Sequence, residues 1–209
     1  MPDPEGMALH EAALVAGRSG LGPLVEIGTY CGKSATYLGA AARRTGALLF
    51  SVDHHRGSEE QQPGWLHHDP EVVDPATGTI DTLPWARRTI GEAGLEGSVV
   101  LVVGESVQVA GAWGTPLSLL FIDGGHGAAV AWADYRCWAP KVAVGGTLAI
   151  HDVFAGPAEG GQVPYEIFCQ AWASGEWEET GASGSLRLLR RVQAPHLIDQ
   201  AAGPDRFPA

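Results

Sequence analysis

The chain has 209 residues, 45% of them hydrophobic and 18% charged, which suits one globular domain with a full core. A formal net charge of -11 argues against tight binding to nucleic acid or an anionic membrane surface, since both rely on clustered Lys and Arg. No basic segment precedes an apolar run and no long uncharged apolar stretch occurs, so neither a signal peptide nor a membrane span is expected; the widely spaced Cys31, Cys137 and Cys169 fit a reduced, cytoplasmic protein better than a disulfide framework or zinc site.

Met1 to Gly17 reads as a helix with an apolar face of Met7, Leu9, Ala12, Ala13, Val15 and Ala16, ended by Gly17 and Gly20. Its expected job is to cover one side of a sheet or of a ligand. Leu24 to Ile27 is a short strand, Gly28 to Gly32 a glycine turn, and Ser34 to Arg44 a helix. Strand, glycine turn and helix start form the first unit of a doubly wound α/β sheet, the place where such folds hold nucleotide-like ligands. A P-loop needs four residues between its glycine and Gly-Lys-Ser, whereas Gly28 and Gly32 enclose three. The dinucleotide pattern Gly-x-Gly is broken by Gly28-Thr29-Tyr30. The acid-x-glycine arrangement Glu26-Ile27-Gly28 suits a ligand with a cationic amine and no phosphate, such as S-adenosylmethionine (SAM). A glycine turn that only joins strand to helix is the plain alternative.

Leu48 to Asp53 is a second strand ending in an acid. Asp53 lies 25 positions past Gly28, near the spacing of about 20 at which acids accept ribose hydroxyls. His54 to Thr79 is too long and too rich in Pro and Gly for a plain connection, and it carries His54, His55, His67, His68 and Trp65. It reads as a substrate-binding insertion, and its histidines have no diagnostic metal spacing. Asp81 to Gly94 is a helix capped by Asp81 and stopped by Gly94. Val99 to Val103 is a third strand, and the loop Gly104-Glu105-Ser106 lies where an adenine could be held. Leu117 to Asp123 is a fourth strand closing on an acid. Ala128 to Val142 is a helix, and Val144-Gly145-Gly146 turns into a fifth strand, Thr147 to Asp152. Pro164 to Ala173 is a helix; Glu176 to Thr180 and Ser185 to Arg191 form a hairpin. Residues 1–192 make one domain. The polar tail 193–209 is either mobile or an arm toward a partner chain, which would make a homodimer.

Glu26, Asp53, Asp123, His151 and Asp152 thus end strands at one crevice. At these residues the chain resembles class I SAM-dependent methyltransferases. Glu26 to Gly32 stands at the glycine-rich first motif and Asp53 at the ribose acid. Phe121-Ile122-Asp123-Gly124-Gly125-His126 and Gly145-Gly146-Thr147-Leu148-Ala149-Ile150-His151-Asp152 are similar to two later motifs of small-molecule, metal-dependent O-methyltransferases. The insertion looks closest to actinobacterial enzymes that methylate O1 of 3-O-methylmannosides.

The resemblance implies a Rossmann-like fold with a seven-stranded, mostly parallel sheet and a C-terminal antiparallel hairpin. It implies SAM against Glu26, Gly28, Tyr30, Ser34, Asp53, His54, Gly104, Glu105, Ser106 and Asp123. It also implies a divalent cation, Mg²⁺ foremost, on Asp123 and Asp152; several relatives carry two adjacent acids where this chain has His151-Asp152, a departure that leaves the ion either with fewer protein ligands or with His151 among them. A rim histidine is the expected general base, His151 ahead of His126, since imidazole titrates near neutral pH. The acceptor is expected to be a sugar hydroxyl, with Trp65 as a stacking face and His and Gln as hydrogen-bond partners. Other small-molecule hydroxyls (a natural product or a phenol), a non-catalytic nucleotide-binding subunit and an NAD-dependent oxidoreductase are the competing readings.

Overall fold

The structure is a computed structural model that describes residues 1–65 and 68–194. Helix α1 (Asp3–Ser19) opens the chain, with Pro4 in its first turn and Gly20, at φ 70°, as its left-handed cap. Then come β1 (Leu24–Ile27), α2 (Lys33–Thr45), β2 (Leu49–Asp53), α3 (Leu83–Glu92), β3 (Val99–Val103), α4 (Ser106–Ala112), β4 (Leu117–Ile122), α5 (Ala128–Trp138), β5 (Val142–Ile150), α6 (Val163–Ala173), β6 (Trp177–Ser183) and β7 (Leu186–Arg191). The seven strands make one sheet in the order β3-β2-β1-β4-β5-β7-β6. The first five are parallel, and β7 pairs antiparallel with both β5 and β6. This is the expected Rossmann-like methyltransferase architecture.

Every residue of β1 and β4 is buried, as parallel strands with helices on both faces require. Side chains alternate between two core layers. Leu24, Phe121 and Ala149 face α1 and α2 together with Leu9, Leu14 and Leu38. Val25, Ile27, Ile122 and Ile150 face the other layer with Trp138 and Ile167. Continuing that alternation past the strand ends aims Asp123 and His151 toward the α1 side.

Three boundaries differ from expectation. Helix α5 stops at Trp138; a 3₁₀ turn at Ala139–Lys141, containing Pro140, ends it. Strand β5 starts at Val142, so Val144-Gly145-Gly146 is not a turn before the strand but part of it, where its register on β4 slips between Leu117 and Leu119. Gly146 sits so close to the Leu117 carbonyl oxygen that an added Cβ would lie 3.0 Å from it. Helix α3 begins at Leu83; Asp81 does accept the Leu83 backbone N–H (3.2 Å), but from just outside the helix. Tail residues 195–209 lie outside the described residues.

Candidate active site

The ladder hydrogen bonds run on into the crevice. Gly28 N–H donates to Val52 O (3.0 Å), Asp123 N–H to Ile27 O (2.9 Å) and His151 N–H to Ile122 O (3.2 Å). Those bonds place the ends of β1, β2, β4 and β5 side by side. Asp53 organises one half of the rim. Its Oδ2 accepts the Tyr30 backbone N–H (2.8 Å) and its Oδ1 accepts that of His55 (2.7 Å). Each oxygen keeps a lone pair for a ligand hydroxyl. Tyr30 (φ 48°), His55 (φ 60°) and Asp152 (φ 54°) are the described non-glycine residues with left-handed backbone, and each follows a strand end at this crevice. Such conformations cost about 1–3 kcal/mol and concentrate at functional sites.

Glu26 does not reach the crevice. It is fully buried under the glycine turn, where Ser51 Oγ donates to its Oε2, Ser34 is also its partner, and Thr29 Oγ1 meets Ser51 Oγ at 2.6 Å. Burial pushes its carboxyl up to about 8, with the negative charges of Asp123 and Asp53 adding to the shift and the two serine hydroxyls opposing it. Glu26 and Ser34, expected beside the ligand, lie beneath the glycine turn in this structure: alternation in β1 turns Glu26 toward α2, and the pair supports the turn from below. Ser106 is likewise turned inward. It is not a loop residue but the first of α4; its hydroxyl donates to the buried Asp134, and its carbonyl accepts Trp138 Nε1–H (3.2 Å). Exposed Glu105 and Gly104, whose N–H donates to Asp53 O (3.1 Å), remain at the surface of the crevice.

The other half of the rim centres on His151. Its ring is 5% exposed, with Nε2 2.8 Å from Glu5 Oε2 and Nδ1 2.9 Å from Asp123 Oδ1 and 3.2 Å from Asp152 Oδ1. Nδ1 meets neither aspartate in hydrogen-bond geometry and is left without such a partner. One donor atom each from Asp123, His151 and Asp152 lies within 4.8 Å of the others, a spacing that suits a shared cation. A buried nitrogen facing two carboxylates off the hydrogen-bonding direction fits such an ion. Burial alone would lower the His151 pKa; Asp123 and Asp152 outweigh it and push it up to about 10. Asp152 is held well below the usual carboxylate range, its burial being outweighed by His126 and His151.

His151 is buried, its Nε2 held by Glu5 and its Nδ1 turned toward Asp123 and Asp152. His126 is more open, 28% exposed, with Nε2 3.2 Å from Asp152 Oδ2 and Nδ1 3.4 Å from Glu60 Oε2. Asp152 raises its pKa above the ordinary histidine value, against burial. Glu5 was not anticipated. It is 4% exposed on α1, and its other oxygen accepts the Ser185 backbone N–H (2.6 Å) and hydroxyl (3.1 Å). The signal was available: α1 carries two acids in its first turn, and strand alternation points His151 at α1.

The insertion spans both halves. Asp69 bonds the Tyr30 side chain above the glycine turn, and Glu60 faces His126. Between them lie 3₁₀ turns at Glu59–Gln61 and Pro70–Val72 and a ribbon of Val73–Asp74 with Thr79–Ile80. Gln62 holds the carbonyls of Arg56, Gly57 and Ser58, and Gln61 caps Ser58, so these glutamines build the loop rather than present amides to a ligand. His54 Nδ1 accepts Arg56 N–H (3.0 Å) and His55 is buried against Thr82 Oγ1 (2.7 Å), whereas Trp65 is 53% exposed; His67 lies outside the described residues. A small pocket lined by Ile122, Ala131, Ile150, Pro164 and Ile167 opens beside Asp123, His126 and His151.

A family model described as a methyltransferase domain matches residues 25–153. The O-methyltransferase NovP is similar over 90% of this chain and 80% of its own, at 16% identity and a TM-score of 0.66. TomG of Streptomyces achromogenes, an O-methyltransferase involved in tomaymycin synthesis and solved with SAM, matches over 92% and 82%, at 15% identity and a TM-score of 0.62. An O-methyltransferase from Bacillus cereus in complex with SAH matches over 91% and 82%, at 16% identity and a TM-score of 0.60.

Proposed function

Because the chain belongs to the methyltransferase-domain family, we propose that it moves the methyl group of SAM to a hydroxyl of a small molecule, a sugar first of all. The carrying observation is that the Asp53-held glycine turn and the Asp123, His151, Asp152 cluster share one rim. A non-catalytic nucleotide-binding subunit needs only the first of these. An NAD-dependent oxidoreductase needs a glycine pattern that Gly28-Thr29-Tyr30 lacks.

SAM, when bound, supplies a methyl group on a sulfonium, ready for direct displacement. Toward it, Asp53 takes the ribose hydroxyls, Gly28 and Tyr30 offer close backbone, and Gly104 and Glu105 flank the adenine. A divalent cation, when bound, lowers the pKa of an acceptor hydroxyl. Asp123, Asp152 and His151 hold that ion, and neighbouring His126 receives the hydroxyl proton. The insertion keeps water from the transfer. Three free cysteines suit a cytoplasmic setting.

A sugar acceptor, and within that class a methylated mannoside of polysaccharide biosynthesis, is supported by exposed Trp65 on the insertion. The second reading, a natural-product or phenol hydroxyl, is favoured by the likeness to TomG, an O-methyltransferase involved in tomaymycin synthesis. Calorimetry against SAM, SAH and NAD tests the cofactor; NAD binding without SAM binding overturns the proposal. Labelled SAM offered with methylated and unmethylated mannosides and with phenols then separates the acceptors.

A further inference from the structure

The Glu5–His151 contact is built, not incidental. Gly6 brings α1 so close to α2 that an added Cβ would lie 2.5 Å from the Tyr37 ring. Gly184, in the turn between β6 and β7 at φ 52°, leaves the hole that Glu5 fills; a Cβ there would sit 2.2 Å from Glu5 Oε1. Ser185 then holds that oxygen with two hydrogen bonds. The free Glu5 oxygen meets His151 Nε2 at 2.8 Å. An ionised carboxylate only accepts hydrogen bonds, so Nε2 carries the proton. Nδ1 is thereby turned toward Asp123 and Asp152, where it has no hydrogen-bond partner, and an arriving cation takes the place of its proton.

Resting on the cation reading above, we infer that Glu5 is a positioning residue of the cation centre: it fixes the tautomer and ring angle of His151, so that Nδ1 binds the ion directly. The centre is then a mixed nitrogen–oxygen site with one imidazole and two carboxylates. A nitrogen donor suits transition-series divalent cations better than Mg²⁺, which prefers oxygen ligands.

Mn²⁺ is the probe. Calorimetry of the full chain measures its binding, and pulsed electron paramagnetic resonance reads whether a nitrogen nucleus couples directly to the bound ion. Wild type should bind Mn²⁺ more tightly than Mg²⁺ and show the coupling of one imidazole nitrogen. E5A should lose roughly 10–100-fold in Mn²⁺ affinity, the range for an outer partner of a metal ligand, and should weaken the coupling. E5Q keeps an acceptor carbonyl for Nε2–H and should restore much of both. Mn²⁺ bound to wild type without nitrogen coupling overturns the inference, and that measurement needs no variant to fold. Folded E5A with unchanged affinity and coupling overturns it as well. Absence of any Mn²⁺ or Mg²⁺ binding to wild type overturns the cation reading itself, an outcome distinct from the other two.

Discussion

Gly28 and Asp123 meet where no side chain fits: a Cβ on Gly28 would lie 2.2 Å from the Asp123 carbonyl oxygen, and the Gly28 φ is 95°. Asp123 therefore stands at the floor of the glycine turn as well as in the Asp123, His151, Asp152 group. Gly28→Ala should destabilise the fold by about 1–3 kcal/mol from backbone strain alone, with more from the clash. Chemical denaturation measures the loss, and calorimetry should show SAM affinity falling with it. A stable variant with unchanged SAM affinity would remove Gly28 from the binding turn.

Asp53 joins the two left-handed residues Tyr30 and His55 through its two oxygens. Asp53→Ala should weaken SAM binding by roughly 10–100-fold, matching about 1.5–3 kcal/mol for hydrogen bonds to a charged group. The thermal transition should remain cooperative. Full affinity in a folded variant would remove Asp53 from the ribose site.

Glu26 makes stability depend on pH. Burial raises its folded-state pKa to about 8, well above the ordinary glutamate value. The stabilisation tied to its bound proton is full below the unfolded value and is lost as pH rises through about 8. Glu26→Gln should keep the shape and flatten this decline. Parallel slopes for wild type and variant between those limits, from denaturant titrations at several pH values, would show that Glu26 is already ionised.

The two rim histidines should separate by assay. His126→Ala should lower kcat about 10²–10⁴-fold, the usual range for loss of a general base, with SAM and cation affinity kept. His151→Ala should instead lose cation binding. Exhaustive EDTA treatment should abolish wild-type activity, and restored cation should recover it. Full activity after EDTA would exclude the cation from the reaction.

Trp65 lies on the insertion with 53% of its surface exposed. Trp65→Ala should raise the acceptor KM far more than the SAM KM. The opposite pattern would place this part of the loop over the cofactor.

The strands were legible because Leu24 to Ile27 and Leu117 to Ile122 are unbroken apolar runs, as buried parallel strands must be. Asp53, Asp123 and His151-Asp152 were legible as strand ends for the same reason. Direction was the harder matter. An acid at a strand's end looks the same in sequence whether it faces solvent, as Glu105 does, or a core layer, as Glu26 does. Alternation along β1 decides the case of Glu26, and only after the covering helix is known. Gly145-Gly146 misled because a glycine pair marks a turn and an irregular strand equally well. Glu5 becomes legible only when two local patterns 146 residues apart are joined: the acids in the first turn of α1 and the alternation that turns His151 toward that helix.

Glu5 and Ser185 come from nearly opposite ends of the described chain and meet at His151. During synthesis α1 leaves the ribosome well before β7. On the cation reading, the candidate cluster is complete only after the β6–β7 hairpin has left the exit tunnel and docked beside β5, with α1 sealing over it. A nascent chain cut before Gly184 carries Asp123, His151 and Asp152, yet lacks the turn that seats Glu5. On the cation reading, such a fragment holds its acids without the carboxylate that orients His151, so the centre waits for this hairpin.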